Sequence, residues 1–301
     1  MPHIAPHPHR CTTSASRWRR SCDKGAARRP DRSIRVGTGR GFAVGQDDAT
    51  ADTLADSVDD AMLAKTRPPV GAMLLLGMAA GAQIGFGAIG YLVAQAGMAP
   101  GGATQLLSGV AFSVGLMLVM VTGTQLFTGN TMLVLPTVQN RLSVGETLRD
   151  WTVVWVANLI GGIVIAALFV ASGATDAIDG SVAAAALKTG DTKLGKDWIE
   201  LLASGVLANM LVCLAVWMAT GSKTVAGKIA SVIGPVALFV AAGFEHSVAN
   251  MTLLPVAWAL DPAAVPVGPL LGNLLLATAG NIVGGSLVAI TLAAGHRTLT
   301  T

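Results

Sequence analysis

Charge is what this chain has least of: 12% of its 301 residues are Asp, Glu, Lys or Arg, about half the share of an average soluble domain. From Pro68 to Asn140 there is no Asp, Glu, Lys, Arg or His, and the same holds for Trp151 to Thr175, Leu201 to Ser222 and Pro262 to Gly295. These runs exclude a water-soluble globular chain. A membrane helix needs about 20 apolar residues, so they hold several spans. Cysteine is also scarce, with Cys11 and Cys22 near the N-terminus and Cys213 inside LVCLAVW. That excludes a disulfide framework and leaves Cys213 as a small core residue. No nucleophile or ligand set lies at depth, so neither a metal, a cofactor nor enzymatic chemistry is expected.

What charge there is lies mostly at one end, since 12 of the 20 basic residues precede Pro68. Residues 1–45 form a basic extension rich in Pro, Ser and Gly, without the apolar stretch of a signal peptide, and are expected to be disordered. They read as a basic tail for anionic lipid or nucleic acid, as an Arg-rich targeting peptide or, preferred, as sequence upstream of the true start. His3, His7, His9 and Cys11 imitate a metal cluster, but prolines separate them and no fold surrounds them. In residues 46–67, Leu54, Val58 and Met62 recur at helical spacing among acids. That predicts an amphipathic helix on the membrane surface or against the cytoplasmic side of the protein.

Residues 68–296 read as an all-α membrane domain of six spans: Val70 to Met98, Gly102 to Val138, Trp151 to Ser172, Trp198 to Thr220, Ile229 to Leu260 and Gly268 to Ala294. The second and fifth, at 37 and 32 residues, overrun a hydrocarbon core of about 30 Å at about 1.5 Å per residue. Each has a polar, helix-poor stretch where it can break, TGTQLFTGNT at 122–131 and GFEHSVANMT at 243–252. The breaks belong to an internal repeat: NTMLVLP is answered by NMTLLP, and NLIGG (Asn158) by NIVGG (Asn281). Three spans per half require the second half to enter the membrane inverted, a common plan for transport proteins. Lys65, Arg67, Arg141, Arg149, Lys223, Lys228 and Arg297 fall on one side, and Lys188, Lys193 and Lys196 on the other. This bias predicts both termini in the cytoplasm.

Apart from acids at span ends, Glu245 and His246 are the ionisable groups inside the spans. Lipid would penalise either, so both should face the protein interior or a water-filled cavity. One reading is a satisfied internal pair, and the other is a working site at a helix break with a pseudo-symmetric mate. That mate, LFTGN, offers the Thr128 hydroxyl, the flexible Gly129 and the amides of a half-helix start. Together they suit a small anion met by hydrogen-bond donors.

LFTGNTM, NMLVCLAVW at 209–217, FVAAGFEHSVANMT and GNIVGG together resemble the formate/nitrite transporter family over roughly residues 50–295. The resemblance implies an aquaporin-like six-helix protomer, a homopentamer in the plasma membrane and a separate pore in each protomer. It implies passage of small monovalent anions such as nitrite and formate, linked to protons, and no nucleic-acid partner. It places the central histidine on His246 with Thr128 opposite and Glu245 beside it, the outer lysine on Lys193 with Lys196 as competitor, and motif asparagines on Asn209 and Asn281. The apolar constrictions fall on Phe112, Leu116, Leu126, Phe127, Val212 and Phe239. GNTM and the Met-Thr after FEHSVAN lean toward the nitrite branch. The rival readings are an aquaporin-like neutral-solute channel, although its Asn-Pro-Ala pairs are absent, and, further off, a membrane-embedded enzyme using the Glu245–His246 pair, which would need more titratable groups at depth than the spans hold.

Overall fold

The computed structural model describes residues 51–296, and all their regular structure is helical. The basic extension, its histidine group and Arg297 lie outside the described residues. Helix α1 (Ala51–Thr66) buries Ala55, Val58 and Met62. It packs them on Met132, Leu135, Val216 and Trp217, so it lies against the helix bundle. Helix α2 (Val70–Gln95) is followed by α3 (Gly102–Thr122), which stops at Gly123. Gly123 has φ 70°, the left-handed geometry that ends many helices and costs glycine nothing. After extended residues 124–126 the chain restarts as α4 (Phe127–Asn130), a 3-10 turn and α5 (Val134–Val138). Gly129 sits inside α4, so the break takes its left-handed residue from Gly123, not from Gly129 as the sequence suggested. Helix α6 (Val144–Ala171) starts earlier than hydropathy places the third span, because Ser143 and Glu146 form a capping box.

The second half repeats this order as α7 (Ser181–Leu194), α8 (Trp198–Gly221) and α9 (Val225–Ala241). Gly243, again at φ 70°, opens the second break, after which come α10 (Ser247–Leu260) and α11 (Val267–Gly295). Helices α2, α3, α6, α8 and α11 are each long and apolar enough to cross a membrane, and the shorter α9 and α10 share the remaining passage. Helix α7, absent from the sequence reading, mates with α1. Both helices carry a lysine in the last turn, Lys65 and Lys193. The repeat is therefore four segments long, in the second half α7, α8, the broken pair α9 and α10, and α11, and three of the four cross.

Close backbone approach holds each half together. A Cβ built on Gly161 would run into the Met78 carbonyl oxygen across the α2·α6 contact, and one on Gly284 into that of Val206 across α8·α11. Small residues at crossings are how helices pack where lipid gives no hydrophobic drive. Gly161→Val is accordingly expected to cost about 3 kcal/mol or more through overpacking, seen as loss of monodisperse protein after detergent extraction. Outward, Leu75, Leu168 and Leu275 stand at least 60% exposed, a surface that suits lipid.

Candidate functional site

The two helix breaks are pinned by matching asparagines. Asn158 on α6 accepts the Phe127 N–H at 2.8 Å and donates to the carbonyls of Gly77 (2.8 Å) and Gln125 (2.9 Å). Asn281 on α11 accepts the Ser247 N–H at 2.8 Å and donates to Gly205 (2.8 Å) and Glu245 (3.0 Å). The hydrogen bonds thus align QLFTGN with EHSVAN: Gln125 with Glu245, Leu126 with His246, and Asn130 with Asn250. The leading amide of each half-helix, Phe127 or Ser247, is thus occupied by an asparagine and is not an open donor for an anion. The Asn281 side chain bonds backbone groups at all three of these contacts.

His246 is the residue preceding α10, and its Nδ1 accepts the Ala249 N–H at 3.1 Å. An accepting Nδ1 puts the hydrogen of the neutral ring on Nε2. Nε2 lies 3.0 Å from Thr128 Oγ1, so the ring donates to the hydroxyl, whose own hydrogen is left to turn toward a visitor. His246 is 2% exposed and Thr128 0%. Phe239 stacks on the imidazole at 5.6 Å between centroids, and Phe112 meets Phe239 edge-on at 5.7 Å. The two phenyl rings and His246 line a cavity of ≈ 50 Å³ that also touches Lys193. A water needs about 10–15 Å³ on this measure, so the space suits an anion of a few atoms.

Two larger cavities flank this centre. One of ≈ 510 Å³ is lined by Gln105, Lys188, Lys193, Lys196 and Glu245. The other, ≈ 140 Å³, is lined by Lys65, Val119, Met120 and Leu126. Helix α3 runs from Gln105 beside the first to Met120 beside the second, so the cavities sit at opposite ends of the protomer. Leu116, Phe127 and Val212 are buried in the core but line neither the ≈ 50 Å³ nor the ≈ 140 Å³ cavity.

Glu245 is wholly buried. Its Oε2 accepts from Lys193 Nζ (2.9 Å) and Asn250 Nδ2 (2.7 Å), and its Oε1 from Lys196 Nζ at 2.7 Å. Both lysines that competed in the sequence therefore converge on it. The mirror cluster has a neutral centre: Asn130 Nδ2 donates to Gln125 Oε1 at 2.8 Å, and Lys65 Nζ donates to Asn130 Oδ1 at 2.8 Å. Burial pulls the Lys65 ammonium down to about 8. Sequence reasoning missed Lys65, Gln125 and Asn130 as a cluster. The repeat held the signal, since Asn130 and Asn250 follow Gln125 and Glu245 at equal spacing. Asn209, on α8, reaches the carbonyls of Thr128 (3.2 Å) and Asn281 (2.6 Å) and the Thr131 hydroxyl (2.9 Å), so it ties the first break to α11, the helix that pins the second.

Two inverted halves, each with a helix broken at depth, and an imidazole–hydroxyl pair between two lysine-bearing cavities define a membrane channel or transporter. A family model described as formate/nitrite transporter matches residues 52–294. The chain belongs to the formate/nitrite transporter family. It is 36% identical over 231 residues to the formate channel FocA of Haemophilus influenzae, covering 70% of this chain and 81% of the relative. It is 37% identical over 244 residues to a probable formate transporter of Methanothermobacter thermautotrophicus, covering 74% and 88%. Among solved structures, a pentameric formate channel with formate bound superposes with a TM-score of 0.71 at 33% identity, covering 76% of this chain and 98% of that one. An ion channel of the same family gives 0.71 at 29% identity, covering 83% and 98%. The family and these neighbours are channels and transporters, not enzymes.

Proposed function

We propose that this protein carries small monovalent anions, formate first and nitrite second, across the plasma membrane together with a proton. Each protomer of a homopentamer has its own pore, and both termini are cytoplasmic. The observation that carries the reading is the 3.0 Å contact of His246 Nε2 with Thr128 Oγ1, at the meeting of the two helix breaks beside a cavity sized for a few atoms. The formate names of the relatives favour formate over the nitrite lean of the sequence motifs, and the pentameric neighbour supports the assembly. The loop charge bias supports the orientation.

An anion stripped of water gains nothing from the Phe112 and Phe239 rings. Lys193, at the floor of the large cavity, concentrates it there. At the centre the Thr128 hydroxyl hydrogen bonds the anion, while the His246 N–H backs the hydroxyl oxygen. A proton taken up at Nδ1, displacing the Ala249 N–H, lets Nε2 pass its hydrogen to Thr128 Oγ1 as the hydroxyl hydrogen moves to the anion. The neutral acid then crosses the apolar stretch, and the ring, left with its hydrogen on Nδ1, regains the resting tautomer by exchange with water, Nε2 taking up one proton as Nδ1 gives one up.

Uptake of labelled formate, nitrite and glycerol into proteoliposomes tests this. Formate and nitrite are expected to enter faster under an inward proton gradient, and glycerol to be excluded. Glycerol flux without anion flux would overturn the reading in favour of a neutral-solute channel.

A further inference from the structure

The lysine clusters behind the two helix breaks reach a similar charge by different routes. At the α1 end the cluster holds one ammonium, Lys65, beside the neutral side chains of Gln125 and Asn130. At the α7 end the residue matching Gln125 is Glu245, which would neutralise the matching lysine, Lys193, in a 2.9 Å ion pair. An anion arriving there would have to compete with a buried carboxylate for its cation. Lys196 alters that balance. It lies beyond the last turn of α7, its Nζ takes the other carboxylate oxygen at 2.7 Å and the Gly243 carbonyl at 2.7 Å, and its side chain keeps 21% exposure on the large cavity. One carboxylate shared by two ammonium groups leaves this cluster with a net single positive charge, as Lys65 alone gives the other, and Lys188 adds a further charge on the large cavity outside the cluster.

We propose that Lys196 is a positioning residue for anion uptake. By occupying Glu245 Oε1 it offsets the carboxylate and frees the charge of Lys193 to act on the anion. The inference rests on the transport reading above and explains why this half of the repeat tolerates an acid. Lys196 does not touch the central pair, so it should act on loading of the large cavity and not on crossing.

The test is formate uptake into proteoliposomes by the full-length protein, with KM and maximal rate measured for wild type, Lys196→Gln and Lys196→Arg. Glutamine keeps a donor for the Gly243 carbonyl but removes the charge. Its KM is expected to rise about tenfold, equivalent to about 1.4 kcal/mol, with the maximal rate within about twofold of wild type. Arginine should restore the wild-type KM. High salt, with a screening length of about 3 Å at 1 M, should narrow the gap between glutamine and wild type. An unchanged KM in Lys196→Gln, or a fall in maximal rate alone, would overturn the proposal and make Lys196 a strut for the break. Absence of anion flux in the wild type would instead overturn the transport reading itself.

Discussion

Formate flux through the His246→Phe protein is expected to fall roughly 5- to 150-fold, because the buried Thr128 oxygen that holds the anion loses its donor at about 1–3 kcal/mol. Phenylalanine keeps a ring to stack on Phe239, so the apolar packing of the centre survives. What goes is the Nε2 hydrogen that backs Thr128 Oγ1 and the Nδ1 acceptor that caps the Ala249 N–H. The lost cap alone costs about 0.5–2 kcal/mol of stability, so slower flux could reflect a weakened break. His246→Asn separates the two effects, because asparagine caps helices well but cannot reproduce the ring relay. Its melting temperature in detergent should stay near wild type, while its flux falls and loses its acceleration at acidic external pH. Wild-type flux with wild-type pH dependence in His246→Asn would remove the histidine from the proton path.

The second large effect belongs to the scaffold. Asn158→Leu removes three hydrogen bonds and strands the buried Phe127 N–H and the Gln125 carbonyl, while the Gly77 carbonyl, inside α2, keeps its helical partner. Each orphaned buried group costs about 1–3 kcal/mol, and hydrocarbon offers no water to replace the partner. A loss of about 2–6 kcal/mol is expected by that count, enough to prevent recovery of folded protein from detergent. Asn158→Asp retains the acceptor for Phe127 N–H and should recover part of the yield. Size-exclusion profiles and thermal melts of the two variants check this. If Asn158→Leu melted with wild type, the pinning of the break would have to come from elsewhere.

The sequence revealed the breaks because hydropathy that runs too long for one crossing must bend, and the paired asparagines and glycines exposed the repeat. It revealed Glu245 and His246 because charge at depth stands out against such an apolar background. It did not reveal α7, whose short, lysine-bearing SVAAAALKTGDTKL resembles a loop until its contacts are known. Nor did it reveal what the lysines touch: Lys65 meets Asn130 across 65 positions, and Lys193 meets Glu245 across 52. Composition windows register neither contact. The same limit applies to Asn281, since the motif gives its place in the chain but not the backbone groups that its amide meets.

The asparagine struts also govern how the molecule can be made. Phe127 emerges from the ribosome 31 residues before Asn158, and Ser247 34 residues before Asn281. In each half the exposed peptide groups must therefore wait for a helix not yet synthesised. Until α6 arrives the first interruption cannot settle at depth, and until α11 arrives the second cannot. A chain halted after α10 would carry one finished half and one with its interruption unpaired. The final helix is therefore the piece that completes the second half.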